Sequence, residues 1–476
     1  MTYPSIPVYA YIESTAVVVS TIIIAFGLLQ NLIYTTHLAV AYWALRRKPP
    51  LSKLRQLWVR YSEVTMPISI LVPAYNEEAT VVDGVRALLA LHYPVFDVIV
   101  VNDGSKDGTL SVLIEAFELR RIQRAYEEEV KHAPIRCIYG SPNHANLIVI
   151  DKENGGKSDA LNAGINLSRR PLICSIDADS IVESDALLRA VHPFIDDPVR
   201  VVAVGGTVRV VNGCKVRRGR VLEPGLPTAI LPLFQIVEYL RAFLIARIAW
   251  SELRALTLIS GAFGIFRRQV TIAVGGYSHD TVGEDLELII KIHRYMLDQR
   301  TDYLICFIPE PVCWTEVPSS LAVLGTQRMR WQRGALEVFV KHKQMLFDRR
   351  YGRVGALGLG NMLVVDVLGP PIELIGYMLI PALWGLGLIS WPFLLAFLAL
   401  AFIFGIFISV GALILEEIEL RHVPRPIDLL ILTGVAVLEN FGYRQLNNIW
   451  RIAGCWQFLR GVEGWGTMTR TGFRRA

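Results

Sequence analysis

At 476 residues the chain is longer than one typical domain, so two or more structural units are expected. Apolar residues make up 53% of it, charged residues only 19%, and the mean hydropathy is +0.40, which excludes an ordinary soluble enzyme and places the excess in membrane segments. The net charge of +5 calls for no nucleic-acid partner and suits the basic bias of a membrane protein's inner side.

Residues 1–45 hold no Lys or Arg, and from about Thr15 to Leu45 they run almost continuously apolar before Arg46, Arg47 and Lys48. A span needs about 20 such residues, so this stretch is long enough to cross a bilayer. A cleaved signal peptide would carry its positive charge before the apolar run, not after it. Residues 1–48 are therefore predicted to be a transmembrane helix with its N-terminus outside, and residues 49–64 a cytoplasmic linker.

From about 65 to 330 the pattern changes to short β-branched runs alternating with helical stretches. Ile68–Pro73, Val98–Val101, Leu147–Ile150 and Leu172–Ile176 read as strands, with helices near Glu77–Leu91, Thr109–Leu119 and Lys157–Leu167. Strand, helix, strand repeated is the signature of a parallel sheet covered on both faces. Ligands on such sheets bind at the carboxyl ends of the strands, around the topological switch point. Polar residues gather there: Val72-Pro73-Ala74-Tyr75-Asn76-Glu77, Asn102-Asp103-Gly104-Ser105 and Asp177-Ala178-Asp179. In an extended turn the carboxylates of Asp177 and Asp179 can reach one hard divalent cation, which would share the oxygens of a diphosphate.

The stretch from 231 to 258 alternates apolar clusters with Glu238, Arg241, Arg247, Glu252 and Arg254. It is expected either to lie on the membrane surface as an amphipathic helix or to be a buried core helix. Residues 331–353 form a second interfacial segment. Between Val354 and Leu415 only Asp366 and Glu373 are charged, so two crossings are expected, turning near Ser390-Trp391-Pro392. The two acids either face a water-filled path or sit at the headgroups of an interfacial helix. The apolar run Leu429–Leu438 is too short to span alone and continues into Glu439, Asn440, Arg444, Asn447 and Asn448. It lies at the interface or crosses with a polar face towards a channel, making three or four crossings in all, with 354–450 expected to be a C-terminal transmembrane channel region and 451–476 a cytoplasmic tail. The six cysteines form no Cys-x-x-Cys pair and read as reduced, which places the soluble region in a reducing compartment.

The motifs resemble processive family-2 glycosyltransferases of the GT-A fold, which include cellulose, chitin, hyaluronan and poly-N-acetylglucosamine synthases. VPAYNE at 72–77, NDGS at 102–105, GGKSDALNAG at 155–164, DADS at 177–180, GEDLEL at 283–288 and QRMRW at 327–331 occur in the family's order. The resemblance implies an α/β GT-A (Rossmann-like parallel-sheet) catalytic domain embedded between α-helical transmembrane segments. It implies that Tyr75, Glu77 and Asp103 hold the uracil and ribose of a UDP-sugar and that Lys157 lies near the phosphates. Asp177 and Asp179 would bind Mg2+ or Mn2+, and Asp285 would be the general base, with Glu284 beside it. Arg330 would pair with the diphosphate, while Gln327, Trp331 and the loop Ser260-Gly261-Ala262-Phe263 would meet the acceptor. Two departures stand out. The family's Thr-Glu-Asp is Gly283-Glu284-Asp285 here, and Trp465-Gly466-Thr467 resembles the gating segment of hyaluronan synthases but is followed by Met-Thr-Arg.

The implied function is inverting, processive polymerisation of a UDP-sugar, with UDP-N-acetylglucosamine favoured by the 155–164 run, into a β-linked polysaccharide exported across a bacterial inner membrane. Accessory regulatory or export subunits fit that role. Glucose polymerisation and single transfer to a lipid acceptor are the alternatives; a transporter with a regulatory nucleotide domain has no use for Asp285 as a base.

Overall fold

The computed structural model describes residues 7–47, 64–217, 219–420 and 425–462. Trp465 and Thr467 lie outside the described residues, as does most of the linker expected at 49–64.

The soluble domain is built on a ten-stranded sheet and a small hairpin. The strands are β1 (Ile68–Ala74), β2 (Phe96–Asp103), β3 (Arg120–Arg121), β4 (Ile135–Gly140), β5 (Leu147–Lys152), β6 (Leu172–Ser175), β7 (Ile181–Val182), β8 (Val201–Val210), β9 (Lys215–Arg217), β10 (Arg220–Glu223), β11 (Gly264–Arg267) and β12 (Leu304–Thr315). The order in the large sheet is β3-β4-β5-β2-β1-β6-β11-β8-β12-β7, and β9 pairs with β10. Strands β5, β2, β1 and β6 run parallel. Their near-continuous apolar sequences follow from burial on both faces, with Ile68, Ile70, Val98, Val100 and Val149 in one core cluster and Leu71, Ile99, Val101 and Ile150 in the other.

The sheet is mixed rather than wholly parallel. β11 lies antiparallel between β6 and β8, and β4 is antiparallel to β5. A parallel neighbour requires a crossover that returns the chain to the opposite edge. No such return precedes β11, which enters from the carboxyl edge: its first residue, Gly264, is in register with Ser175 at the end of β6.

Among the described residues three helices are long and apolar enough to cross a membrane: Tyr11–Arg47, Val354–Gly385 and Trp391–Ile418. Large apolar side chains such as Leu32, Met378, Ile403 and Ile414 are exposed on them, as lipid-facing positions require. Pro426–Leu438 and Tyr443–Leu459 form a pair bent by 57°, which gives a fourth crossing if it is one broken span. The amphipathic stretch folds as Ile230–Tyr239, a π-helical segment Leu240–Ile245, and Ala246–Glu252. Leu244, Ile245 and Ile248 pack on Ala41, Ala44 and Leu45 of the first helix, while Leu233 and Val237 pack on Leu413, Leu432 and Val435. Wedged between sheet and membrane helices, it joins the two regions. Buried ion pairs reinforce the junction: Arg209 to Glu416 at 2.6 Å, and Arg241 to Glu439.

Candidate active site

Because β1, β2, β5 and β6 are parallel, their carboxyl ends share one edge. Tyr75 and Glu77 follow β1, Asp103 ends β2, Lys157 opens the helix Lys157–Leu167 after β5, and Asp177 and Asp179 follow β6. Ser260–Phe263 leads into β11 at the same edge. The first two loops are laced together. Asn76 has a left-handed φ of 56°, its N–H donates to Ser105 Oγ at 3.0 Å, and its Oδ1 accepts from the Lys106 N–H at 2.8 Å. Tyr75 is left exposed, whereas Glu77 is buried and accepts from Thr80 Oγ1 at 2.9 Å.

Asp103 is only 2% exposed. Its carboxylate accepts from Lys152 Nζ at 2.7 Å, Asn154 Nδ2 at 3.1 Å, and the N–H groups of Gly155 and Gly156 at 3.0 and 2.8 Å. A carboxylate has about four lone-pair sites, so these donors use them within the chain. Asp103 thereby ties the end of β2 to the glycine turn that presents Lys157.

Lys157 stands between two motifs, with Nζ 2.5 Å from Asp177 Oδ1 and 3.5 Å from Glu284 Oε1. Burial alone would lower its ammonium, but the Asp177 and Glu284 carboxylates outweigh that and hold it above its ordinary value. Glu284 and Asp285 open the helix Glu284–Asp298, where carboxylates are favoured by the helix dipole. Burial pushes Glu284 up to about 7 against the pull of Lys157. The Asp285 Oδ2 accepts the Gly261 N–H at 3.1 Å, which fixes that carboxylate beside the Ser260–Phe263 loop. Gly283 passes close to the helix Leu321–His342: a Cβ there would lie 3.2 Å from the Gly334 carbonyl carbon.

The helix Leu321–His342 carries Gln327, Arg330 and Trp331. All three line a cleft of about 560 Å³ together with Lys157, Asp177 and Asp285. Trp331 is 38% exposed, and the buried Gln327 Oε1 finds no hydrogen-bond partner among the described residues. The cleft does not stop at the soluble domain. Its lining continues to Asp366, Glu373, Arg444 and Arg451 between the membrane helices.

Other residues of the site were given no role by their sequence context. Glu287, fully buried, ties its helix to Leu321–His342 through Lys341 at 3.2 Å and His342 at 3.4 Å. Burial would raise it, but His342, Lys291 and Lys341 hold its carboxyl down at about 2. Arg247, Arg328 and Tyr443 also face the cleft, brought there from three separate helices.

A mixed sheet with acidic loops at one edge, and a cleft that continues between helices apolar enough to cross a membrane, define an α/β enzyme domain joined to membrane helices. Residues 69–271 match the family described as Glycosyl transferase family 2, and residues 172–410, half of the chain, match Glycosyl transferase family group 2. The chain belongs to this glycosyltransferase family. It is 28% identical over 300 residues to a poly-beta-1,6-N-acetyl-D-glucosamine synthase of Staphylococcus epidermidis, covering 63% of this chain and 62% of that protein. It is 31% identical over 277 residues to the enzyme of the same name from Staphylococcus aureus strain COL, covering 58% and 56%. The matches thus span less than two thirds of these curated relatives. The fold is also that of a mannosyltransferase from Pyrobaculum calidifontis solved with GDP-Man and Mn2+, with a TM-score of 0.54, 19% identity, and 95% and 100% of the two chains covered.

Proposed function

We propose that the protein is an inverting, processive glycosyltransferase that polymerises a UDP-sugar, UDP-N-acetylglucosamine, into a β-linked polysaccharide and passes it into the membrane. The observation that carries this reading is the single cleft running from Lys157, Asp177 and Asp285, past Trp331, to charged residues between membrane helices. A single-transfer enzyme has no need of such a continuation. The names of the relatives support the choice of sugar.

In this reading the acceptor hydroxyl is held against Asp285, the terminal sugar stacks on Trp331, and Gln327 Oε1 takes a hydrogen bond from it. The hydroxyl oxygen attacks C1 of the donor sugar from the face opposite the diphosphate. The C1–O bond to the diphosphate breaks with its electron pair leaving on UDP, and the hydroxyl proton passes to Asp285. Positive charge develops on the ring carbon and oxygen in the transition state. Lys157 and Arg330 offset the negative charge on the departing diphosphate, Arg330 by a planar fork suited to phosphate. Tyr75 and Glu77, in the loop after β1, would hold the nucleoside.

Asp177 and Asp179 fit a divalent cation. They offer hard oxygen donors of the kind such a cation takes, two residues apart after β6. Mg2+ or Mn2+ held by two carboxylates takes its other ligands from phosphate and water, and when bound it would neutralise charge on the diphosphate. Basic residues after the first span, Arg46 and Arg47, support a cytoplasmic catalytic domain with the N-terminus outside.

The test is UDP release by the purified protein in lipid nanodiscs, one UDP-sugar at a time, with Mg2+ or Mn2+. The expected result is a long, hydrolase-digestible polymer from UDP-N-acetylglucosamine. Asp285→Asn should lower turnover by on the order of 10²- to 10⁴-fold while UDP still binds. UDP release that makes no polymer and rises only with an added lipid acceptor would replace processive synthesis by single transfer.

A further inference from the structure

Two arginines of the acceptor motif are placed for different work. Both line the cleft, but Arg328 is only 4% exposed and is held by a carboxylate from the interfacial helix. Arg328 Nη2 donates to Glu238 Oε2 at 2.8 Å, and its guanidinium carbon lies 4.2 Å from the centroid of the Trp331 ring. Residues three apart on a helix face one another, so the stack is a direct product of the Arg328–Trp331 spacing. A planar guanidinium held by a carboxylate is a rigid surface, and an aromatic ring resting on it loses its freedom to tilt.

Glu238 takes a second hydrogen bond at the same oxygen. Tyr443 Oη donates to it at 2.8 Å. Tyr443 is the first residue of Tyr443–Leu459, immediately after the elbow of the bent pair, and its ring stacks on Phe234 with centroids 4.9 Å apart. One carboxylate on the interfacial helix therefore joins the elbow of a membrane helix to the guanidinium beneath Trp331. All four side chains border the same cleft.

We propose that Glu238 and Arg328 are positioning residues that set the Trp331 ring for the acceptor sugar, and that Tyr443 couples that setting to the elbow of the bent helices. The inference rests on the reading of Trp331 as the acceptor platform. None of the three residues needs to touch the donor. Their loss should therefore be felt in acceptor recognition and chain length, not in nucleotide binding.

The test compares Tyr443→Phe, Glu238→Gln and Arg328→Met with the wild-type enzyme in nanodiscs. It uses a short oligosaccharide acceptor of varied concentration and direct titration with UDP. The acceptor KM should rise roughly 3- to 10-fold and the mean product length fall by a similar factor, while UDP affinity stays within about 2-fold. Tyr443→Phe added to Glu238→Gln should do no further harm, because both cut the same link. Arg328→Lys, which keeps the charge but not the flat fork, should recover only part of the KM. An unchanged acceptor KM in Glu238→Gln, or UDP affinity lost in parallel with acceptor affinity, would overturn the proposal. If Glu238→Gln cannot be purified folded, Tyr443→Phe decides alone, since it removes one oxygen and keeps the stacked ring. Should the wild type make only single transfers, the processive reading fails, and acceptor KM still judges the relay.

Discussion

Glu284 and Asp285 are adjacent in sequence but sit in different surroundings, and the difference sets their chemistry. Glu284 is 3% exposed and lies beside Lys157, whereas Asp285 opens to the cleft and is steadied by a backbone N–H. Burial raises Glu284 from its ordinary 4.5 to about 7. A carboxyl raised in the folded state contributes stability below its ordinary value, and that contribution is lost as pH rises through the folded value. The metal-free, donor-free protein should therefore lose thermal stability between about pH 5 and 8. Glu284→Gln, which copies the protonated acid, should lose less and should melt above wild type beyond pH 7. A scan of melting temperature against pH checks this, and parallel curves for the two proteins would show that Glu284 does not titrate there. Much of this site was legible beforehand because parallel strands deliver their carboxyl ends to one edge, which makes Tyr75, Asp103 and Asp177 neighbours. The commitment of Asp103 to Lys152 and the glycine turn was not, since it depends on where Gly155 and Gly156 aim their N–H groups.

At the scale of elements, the helix Leu321–His342 is held from both sides. On one side Gly283 touches Gly334; on the other, Gly454 of Tyr443–Leu459 lets the two backbones approach until a Cβ at 454 would lie 2.6 Å from the Met329 carbonyl oxygen. Met329 stands between Gln327 and Arg330, so any displacement there moves the cleft-lining segment Gln327–Trp331. Gly454→Ala must push backbone against backbone, and overpacking of this kind costs about 1–3 kcal/mol. The expected outcome is a lower melting temperature together with reduced polymer yield, read by scanning fluorimetry and product sizing. Wild-type melting and yield would mean that the helices can part without harm. Periodicity announced the long helices and the main strands, because each depends on local pattern. It did not announce the antiparallel β11 or the 57° elbow, because four residues of strand and a break after Leu438 carry too little local signal.

At the scale of the molecule, the soluble domain and the membrane helices are bound into one body by charges that neither could bury alone. Arg241 on the interfacial helix donates to Ser409 Oγ at 2.7 Å and pairs with Glu439, which is fully buried and also accepts from Ser409. Removing one partner of a buried pair leaves the other charge without compensation, which costs about 3–5 kcal/mol, while replacing both by apolar groups of similar volume is often neutral. Arg241→Met and Glu439→Gln should each therefore destabilise the detergent-solubilised protein strongly, and the pair Arg241→Met/Glu439→Leu should recover most of the loss. Thermal inactivation half-lives give the measurement. If the junction only holds the domain in place, the double variant should also recover polymer synthesis. Recovery of stability without synthesis would instead give the Arg241–Glu439 pair a part in passing the chain from the catalytic edge to the membrane, since Arg241 lines the cleft along which it would travel.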